Sequence, residues 1–251
     1  MFIVTSNILG KPQITVQQTV ADWKKFLGWE SGTPALMRPG QVVEAMDGVF
    51  GTAQFVLAYG VASLAIGDAV AFKAGWATVR TVAATRGLVG ISMAANTDSA
   101  ALSWFCIRGM VPGKAATMAV DLPLYSTATA GSLSSTVTAT QGATGAASVL
   151  AASGTVTTKS IRQKNASVFI DLPDVEGLYV GQAVTGTGVG ASAVIVSIGQ
   201  GGVMLGAPSP GRNTIEVSVA STADNQVTGT FAHPSTFGTV SLYYPVLAGL
   251  G

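Results

Sequence analysis

Length, composition and charge set the first limits on this protein. The 251-residue chain is long enough for one large domain or two small ones, and only 10% of its residues are charged, with a net charge of +1. These values argue against binding to nucleic acid or to an acidic membrane surface, which requires basic stripes, and the single cysteine excludes a disulfide framework.

Residues 1–33 are predicted to form an N-terminal arm rather than a domain. Val20, Trp23 and Leu27 fall on one face of a helical pattern, which predicts one short helix within residues 19–29 that ends at Gly28. No basic segment precedes the first apolar residues, so we expect no secretory signal. The apolar side chains of the arm that we expect to contact a partner protein or another subunit are Phe2, Ile3, Val4, Trp23 and Phe26.

From residue 34 the hydrophobic pattern changes to a period of two, which is typical of strands. Short apolar runs are separated by Gly, Asn, Asp and Pro at intervals of about 8–12 residues, the pattern of an all-β barrel or sandwich. Residues 48–67 form an uncharged run as long as a membrane span. Glycines and polar residues interrupt this run, so we predict two short strands there and no membrane segment.

One turn pattern recurs in the sequence. The segments MRPGQVV, LAIGDAV and LYVGQAV share the form x-G-[QD]-x-V, with the glycine at Gly40, Gly67 and Gly181. Glycine supplies the positive φ that such a turn requires, the polar residue caps the turn, and the valine begins a strand. We therefore predict a turn before a strand at each site. The shared letters are too few to establish an internal repeat.

Gly186, Gly188 and Ala191 match the G-x-G-x-x-A spacing of a dinucleotide-binding turn. That motif binds a pyrophosphate only when a helix follows it, because the helix N-terminus supplies the N–H donors. Here Val194, Ile195 and other β-branched residues follow, which disfavours a helix. We therefore predict a glycine-rich turn between two strands and no nucleotide cofactor.

The residues that could carry chemistry are few and scattered. His233 is the only histidine and precedes a proline, so it is interpreted as a solvated loop residue, and Cys106 is interpreted as a buried structural thiol. Asp171, Asp174 and Glu176 form the one local carboxylate cluster, either a weak cation site or an ordinary exposed turn. We therefore predict no enzyme activity, no catalytic residue, no metal and no cofactor.

The aromatic residues and the low charge favour a structural or binding role. A surface so poor in charge suits a subunit that packs against others better than a free monomer. Aromatic side chains in or beside apolar strands are predicted to lie in the core or in an interface, namely Trp76, Trp104, Phe105, Tyr243 and Tyr244.

Several segments resemble a family of tailed-phage head proteins, the capsid decoration (cement) proteins. In residues 38–75 the similar motifs are GQVVEAMDG, YGVAS and GDAV, and in residues 86–115 they are GLVGISMA and an aromatic strand that ends in FCIRG. The loop LPLYSTATAGSL and the final GTVSLYYPV are also similar to family segments. The resemblance covers residues 34 to about 150 and 236–247.

Residues 155–235 depart from that pattern, and Gly154 and Pro234 flank them. Their segment LYVGQAVTGTGVGASAVIVSI is similar to small β-modules of phage capsid and tail-fibre proteins. We therefore predict three parts: the arm, 1–33; a split β decoration domain, 34–153 plus 236–251; and an inserted β-module, 154–235. Insertion into a surface loop is tolerated because the cost of loop closure grows slowly with length.

The resemblance implies a non-enzymatic protein of the virion. It would be made in the cytoplasm of a bacterial host and would bind the outside of an assembled capsid, where it would stabilise the shell by bridging neighbouring subunits. Its expected partners are the major capsid protein and copies of itself, as a trimer or a dimer, with no nucleic acid and no membrane. The alternative is a tail-tube, tail-fibre or receptor-binding component of a phage particle.

Overall fold

The described part of the chain is almost entirely β. The structure, a computed structural model, describes residues 2–5, 38–137, 143–151, 153–199, 213–244 and 246–247. Within these ranges the only helical element is one 3₁₀ turn, Ala74–Trp76. The all-β prediction is therefore confirmed, whereas the short helix predicted in residues 19–29 lies outside the described residues.

The strands are numbered here in chain order. The first nine are β1 (Ile3–Val4), β2 (Val42–Asp47), β3 (Gly51–Tyr59), β4 (Ala69–Phe72), β5 (Thr78–Arg80), β6 (Gly87–Ser92), β7 (Leu102–Thr117), β8 (Pro123–Ser126) and β9 (Leu133–Ser134). The others are β10 (Ala143–Leu150), β11 (Thr155–Gln163), β12 (Phe169–Leu172), β13 (Ala183–Thr185), β14 (Ile195–Gly199), β15 (Asn213–Val217), β16 (Asn225–Ala232), β17 (Phe237–Tyr243) and β18 (Val246–Leu247).

The chain divides into two compact units. The smaller unit contains Ser153–Ser235 together with Asp47–Val49. The larger unit contains Phe2–Met46, Phe50–Ala152 and Thr236–Gly251. Among the described residues, the strands form one sheet of twelve strands and one of six.

Strand β7 organises the larger unit. It pairs antiparallel with β3, β6 and β17 and parallel with β9. The path β7–β17–β10–β8–β9 thus returns to β7, and these five strands close into a barrel. Closure leaves these five strands without an unpaired edge inside the ring. Large side chains on β3 and β7 are fully buried, among them Phe55, Trp104 and Phe105.

The first residues of the chain belong to the sheet of the larger unit. Strand β1 pairs antiparallel with β2, with Ile3 opposite Met46. Phe2 is buried, with its ring 6.0 Å from that of Phe50 and 5.0 Å from that of Phe55 between centroids. Ile3 and Val4 of the predicted arm therefore form a strand of this sheet, and the burial of Phe2 and Val4 holds them there.

The smaller unit is built on an antiparallel sheet in the order β13–β16–β11–β12–β15–β14. Its two end strands are also joined, since Val184 N–H donates to Ala193 O and Ile195 N–H donates to Gln182 O, both at 2.9 Å. Side chains from all six strands and the connecting segments form one apolar core, which includes Ile161, Ile170, Leu178, Val184, Ile195, Ile215 and Phe231.

The recurrent glycine turns are confirmed. Gly40, Gly67 and Gly181 have φ values of 90°, 79° and 89°, and each glycine N–H donates to a carbonyl of a neighbouring segment at 2.8 Å. The polar residue caps the turn in two of them, since Asp68 and Gln182 accept a hydrogen bond from the N–H three residues earlier. Positive φ at this position is what a type II turn requires of its third residue.

Asp68 is a buried carboxylate that ties three parts of the larger unit together: its own turn, β5 and β7. Its side chain is fully buried and lies 3.2 Å from Lys114 Nζ on β7 and 3.8 Å from Arg80 on β5. It also accepts the Ala65 N–H at 2.9 Å. A buried charge is tolerated only with such partners, because its desolvation is costly.

Replacing Asp68 with Asn should therefore destabilise the larger unit by roughly 2–3 kcal/mol, because the two cations lose their counter-charge. The free energy of unfolding in urea measures this change. Asp121→Asn is the matched control: it removes the same charge from an exposed turn, and Asn tolerates the positive φ of 58° there. Equal stability of the two variants would show that the buried carboxylate does not hold these strands.

Candidate interaction surface

A row of polar residues crosses the solvent face of the larger unit. Arg108 on β7 lies opposite Gln54 on β3 and opposite Tyr243 on β17. These three residues and Glu44 on β2 line one open cleft, which has a volume of about 250 Å³. Glu44, Arg108 and Tyr243 come from three separate segments of the sequence. Segments that lie far apart in the sequence therefore meet at one surface.

Two adjacent tyrosines stand out from this row with fixed orientations. Tyr243 is 72% exposed, and its ring lies over Arg108, with 5.3 Å from the guanidinium carbon to the ring centroid. Tyr244 packs against Tyr243 edge to face at 5.7 Å, and its hydroxyl donates to Gln54 Oε1. Tyr244 has a φ of 47°, a conformation that an aromatic residue adopts only at a cost. The chain thus holds two large side chains in place at its surface.

An apolar strip borders the same face. Residues of β2 alternate between exposed and buried, so that Val42, Glu44 and Met46 point outward. Met46 is 54% exposed, and its cross-strand neighbour Ile3 is 51% exposed. We call the whole surface the tyrosine face; it consists of Ile3, Val42, Glu44, Met46, Gln54, Arg108, Tyr243 and Tyr244.

The composition of the tyrosine face suits contact with another protein. Tyr, Met and Arg are enriched in protein interfaces, and Tyr and Arg carry much of the binding energy there. The cation–π contact and the hydrogen bond to Gln54 fix both rings before any partner binds, which lowers the entropy cost of association. The arrangement offers contact area and orientation.

The predicted contact residues are distributed as follows. Ile3 lies on the tyrosine face, whereas Phe2 and Val4 are buried in the larger unit and present little surface to a partner. Trp23 and Phe26 lie outside the described residues. The contact made by these five residues stays a prediction.

Arg108 was not among the residues singled out from the sequence, and Tyr243 and Tyr244 were predicted to lie in the core or in an interface. The alternation in SLYYPV could have predicted an exposed Tyr243, because Leu242 is buried and the next residue of a strand points to the opposite face. The pairing of Tyr243 with Arg108 could not be predicted, since it depends on the register of two strands that are distant in the sequence.

His233 is buried, and its interpretation as a solvated residue is wrong. Its Nδ1 lies 2.6 Å from the hydroxyl of Tyr179, which is also buried. Burial lowers the pKa of His233 to about 4 from its ordinary value of 6.5, and burial raises the pKa of Tyr179. Both groups are therefore uncharged at neutral pH, and both are buried residues of the smaller unit.

The other reactive side chains are buried or bonded to neighbouring residues. Cys106 is fully buried, as predicted, and burial raises the pKa of its thiol well above the usual range. Asp171 is a buried residue of β12 and accepts a hydrogen bond from Thr214 Oγ1, while Asp174 pairs with Lys159. No group of three or more His, Cys, Asp or Glu side chains in the described ranges could hold a metal ion.

No protein-family model, curated protein or solved structure matches this chain. The relation to decoration proteins stays a prediction. In the part of the chain that the structure describes, there is no helix with the length and hydropathy needed to cross a membrane.

The smaller unit should lose stability as the pH falls from 6.5 towards 4. Between these values the unfolded chain binds a proton at His233 that the folded chain does not, so folding is favoured at the higher pH. The loss should be about 2 kcal/mol between pH 7 and pH 5. Hydrogen exchange of amides in β11 and β16, in the full chain, measures it.

His233→Gln is the control, because it retains a polar group beside Tyr179 but does not titrate in this range. The variant should show a smaller pH dependence of the same amides. An identical pH dependence in both proteins would contradict the assignment to His233.

Proposed function

We propose that this chain is a structural protein of a phage particle that binds the outside of the assembled capsid and stabilises it by bridging neighbouring shell subunits. The observation that supports this proposal is the convergence of Glu44, Arg108 and Tyr243, from three family-like segments, on one exposed face. In this proposal the tyrosine face is the surface that contacts the shell or a neighbouring copy.

The proposed mechanism depends on contact area and on multiple attachment. Each copy contributes a modest interface centred on ordered tyrosines, and its partners are the major capsid protein and copies of itself, as a trimer or a dimer. Linked contacts of this kind raise net affinity far above that of any single contact. The protein has no catalytic role in this proposal, and its place is on the outer capsid surface of virions assembled in a bacterial cytoplasm.

A tail-tube, tail-fibre or receptor-binding component is the second candidate. The likeness of residues 178–198 to fibre modules favours it, and these residues contain β13, the glycine turn and part of β14. The two candidates differ in the part of the particle to which the protein binds.

Substitutions on the tyrosine face should separate binding from folding. Tyr243→Ala and Arg108→Ala should each weaken binding to purified shells that lack the protein by about tenfold or more, because each removes an interface anchor. Tyr243→Ala should leave the melting temperature nearly unchanged, since this side chain is mostly exposed. Occupancy is measured by co-sedimentation at increasing protein concentration.

Leu122→Ala is the matched control. Leu122 is 42% exposed and belongs to the same unit but not to the tyrosine face, so occupancy should be unchanged. Full occupancy with both tyrosine-face variants would rule out this surface as the attachment site. Binding of the unmodified chain to isolated tails and not to shells would favour the second candidate.

A further inference from the structure

The smaller unit carries an open polar groove on its sheet. Two adjoining clefts of about 600 Å³ and 430 Å³ share the residues Arg162, Asp171 and Gln226. Volumes of this order are typical of sites for small ligands. The groove belongs to the smaller unit, whereas the tyrosine face belongs to the larger unit.

The three shared residues form a row across neighbouring strands. Arg162 on β11 lies opposite Gln226 on β16 and opposite Asp171 on β12, and Asp171 in turn lies opposite Thr214 on β15. Neighbouring strands are about 5 Å apart, so successive side chains of the row are spaced by that distance. Hydrogen-bonding groups thus follow one another at regular intervals along the groove.

Within the described residues, Arg162, Asp171 and Gln226 make no hydrogen bond to one another. Arg162 is exposed, and within the described residues its guanidinium makes no hydrogen bond and no ion pair, although a carboxylate lies on the next strand. Asp171 is only 4% exposed, and Thr214 Oγ1 holds its carboxylate at 3.2 Å. Gln226 is held by a hydrogen bond from its Nε2 to Ser160 Oγ at 3.2 Å.

The charges that line the groove cancel. Arg162 and Lys164 are balanced by Asp171 and Asp224, which argues against a polyanion such as nucleic acid or an acidic glycan. Strand addition by a peptide is also disfavoured, because β11 and β12 each have a paired strand on both sides and offer no free edge.

A sugar ring meets these requirements. Its neighbouring hydroxyl groups both donate and accept hydrogen bonds, so one ring can accept from the guanidinium of Arg162 and donate to the carboxylate of Asp171. The half-buried ring of Phe169 adds an apolar wall for the C–H face of a sugar.

We propose that this groove binds an uncharged oligosaccharide, with Arg162, Asp171 and Gln226 as the hydrogen-bonding row. Such a site would let the protein adhere to a glycan surface. The groove would bind the saccharide whether or not the chain attaches to a capsid.

Binding of the full chain to soluble tetrasaccharides tests the proposal. Calorimetry with maltotetraose, cellotetraose, mannotetraose and N-acetylchitotetraose, each up to about 10 mM, should detect at least one complex, in the weak range usual for a few hydrogen bonds and one small apolar contact. Arg162→Gln should weaken that complex about tenfold, because a charge-assisted hydrogen bond is lost. Arg162 is exposed, so the variant should fold normally.

Arg86→Gln is the matched control, because it removes an arginine of the larger unit and should leave saccharide binding unchanged. The Arg162→Gln variant should bind capsid shells with the same occupancy as the unmodified chain. Loss of saccharide binding can therefore be distinguished from failure of the proposed function. No binding to any of the four probes, equal binding by Arg162→Gln, or binding only to tetragalacturonate, an acidic probe, would overturn the proposal.

Discussion

The pairing of β17 with β7 is the interaction on which the larger unit depends. Seven residue pairs, from Phe237 opposite Lys114 to Tyr243 opposite Arg108, join the end of the chain to its central strand. This pairing supplies one side of the closed barrel, and it places Tyr243 over Arg108 on the solvent face. A shift of one residue would exchange the two faces of β17 and bury a tyrosine in place of Leu242.

Fold and surface are therefore linked through register. Buried groups such as Val240 and Leu242 fix which residues of β17 point inward, and the exposed side chains follow without a contribution of their own to the core. In a chain with so few charges, two of the charged side chains have distinct roles: Asp68 holds strands together inside the larger unit, whereas Arg108 orders a ring at the surface. Substitutions at the two sites should therefore alter stability and the proposed binding separately.

The sequence predicted the all-β class, the glycine turns and the burial of Cys106, because each depends on local pattern or on residue type. The positive φ at Gly67 and Gly181 follows from turn chemistry alone. The burial of His233 beside Tyr179 could not be predicted. The proline after His233 interrupts any alternating pattern that would indicate its burial, and its partner lies 54 residues away in the sequence. The row formed by Glu44, Gln54, Arg108 and Tyr243 likewise needed the register of four strands.

In the proposed function, the tyrosine face attaches this protein to the outside of a capsid. A cryo-electron microscopy reconstruction of purified particles, at a resolution that shows side chains, would locate the chain and its contacts. We expect density for the chain on the outer shell, with Tyr243 and Arg108 in contact with a capsid subunit or with a neighbouring copy of the chain. Density on the tail alone, or on the shell with these two residues facing solvent, would contradict it.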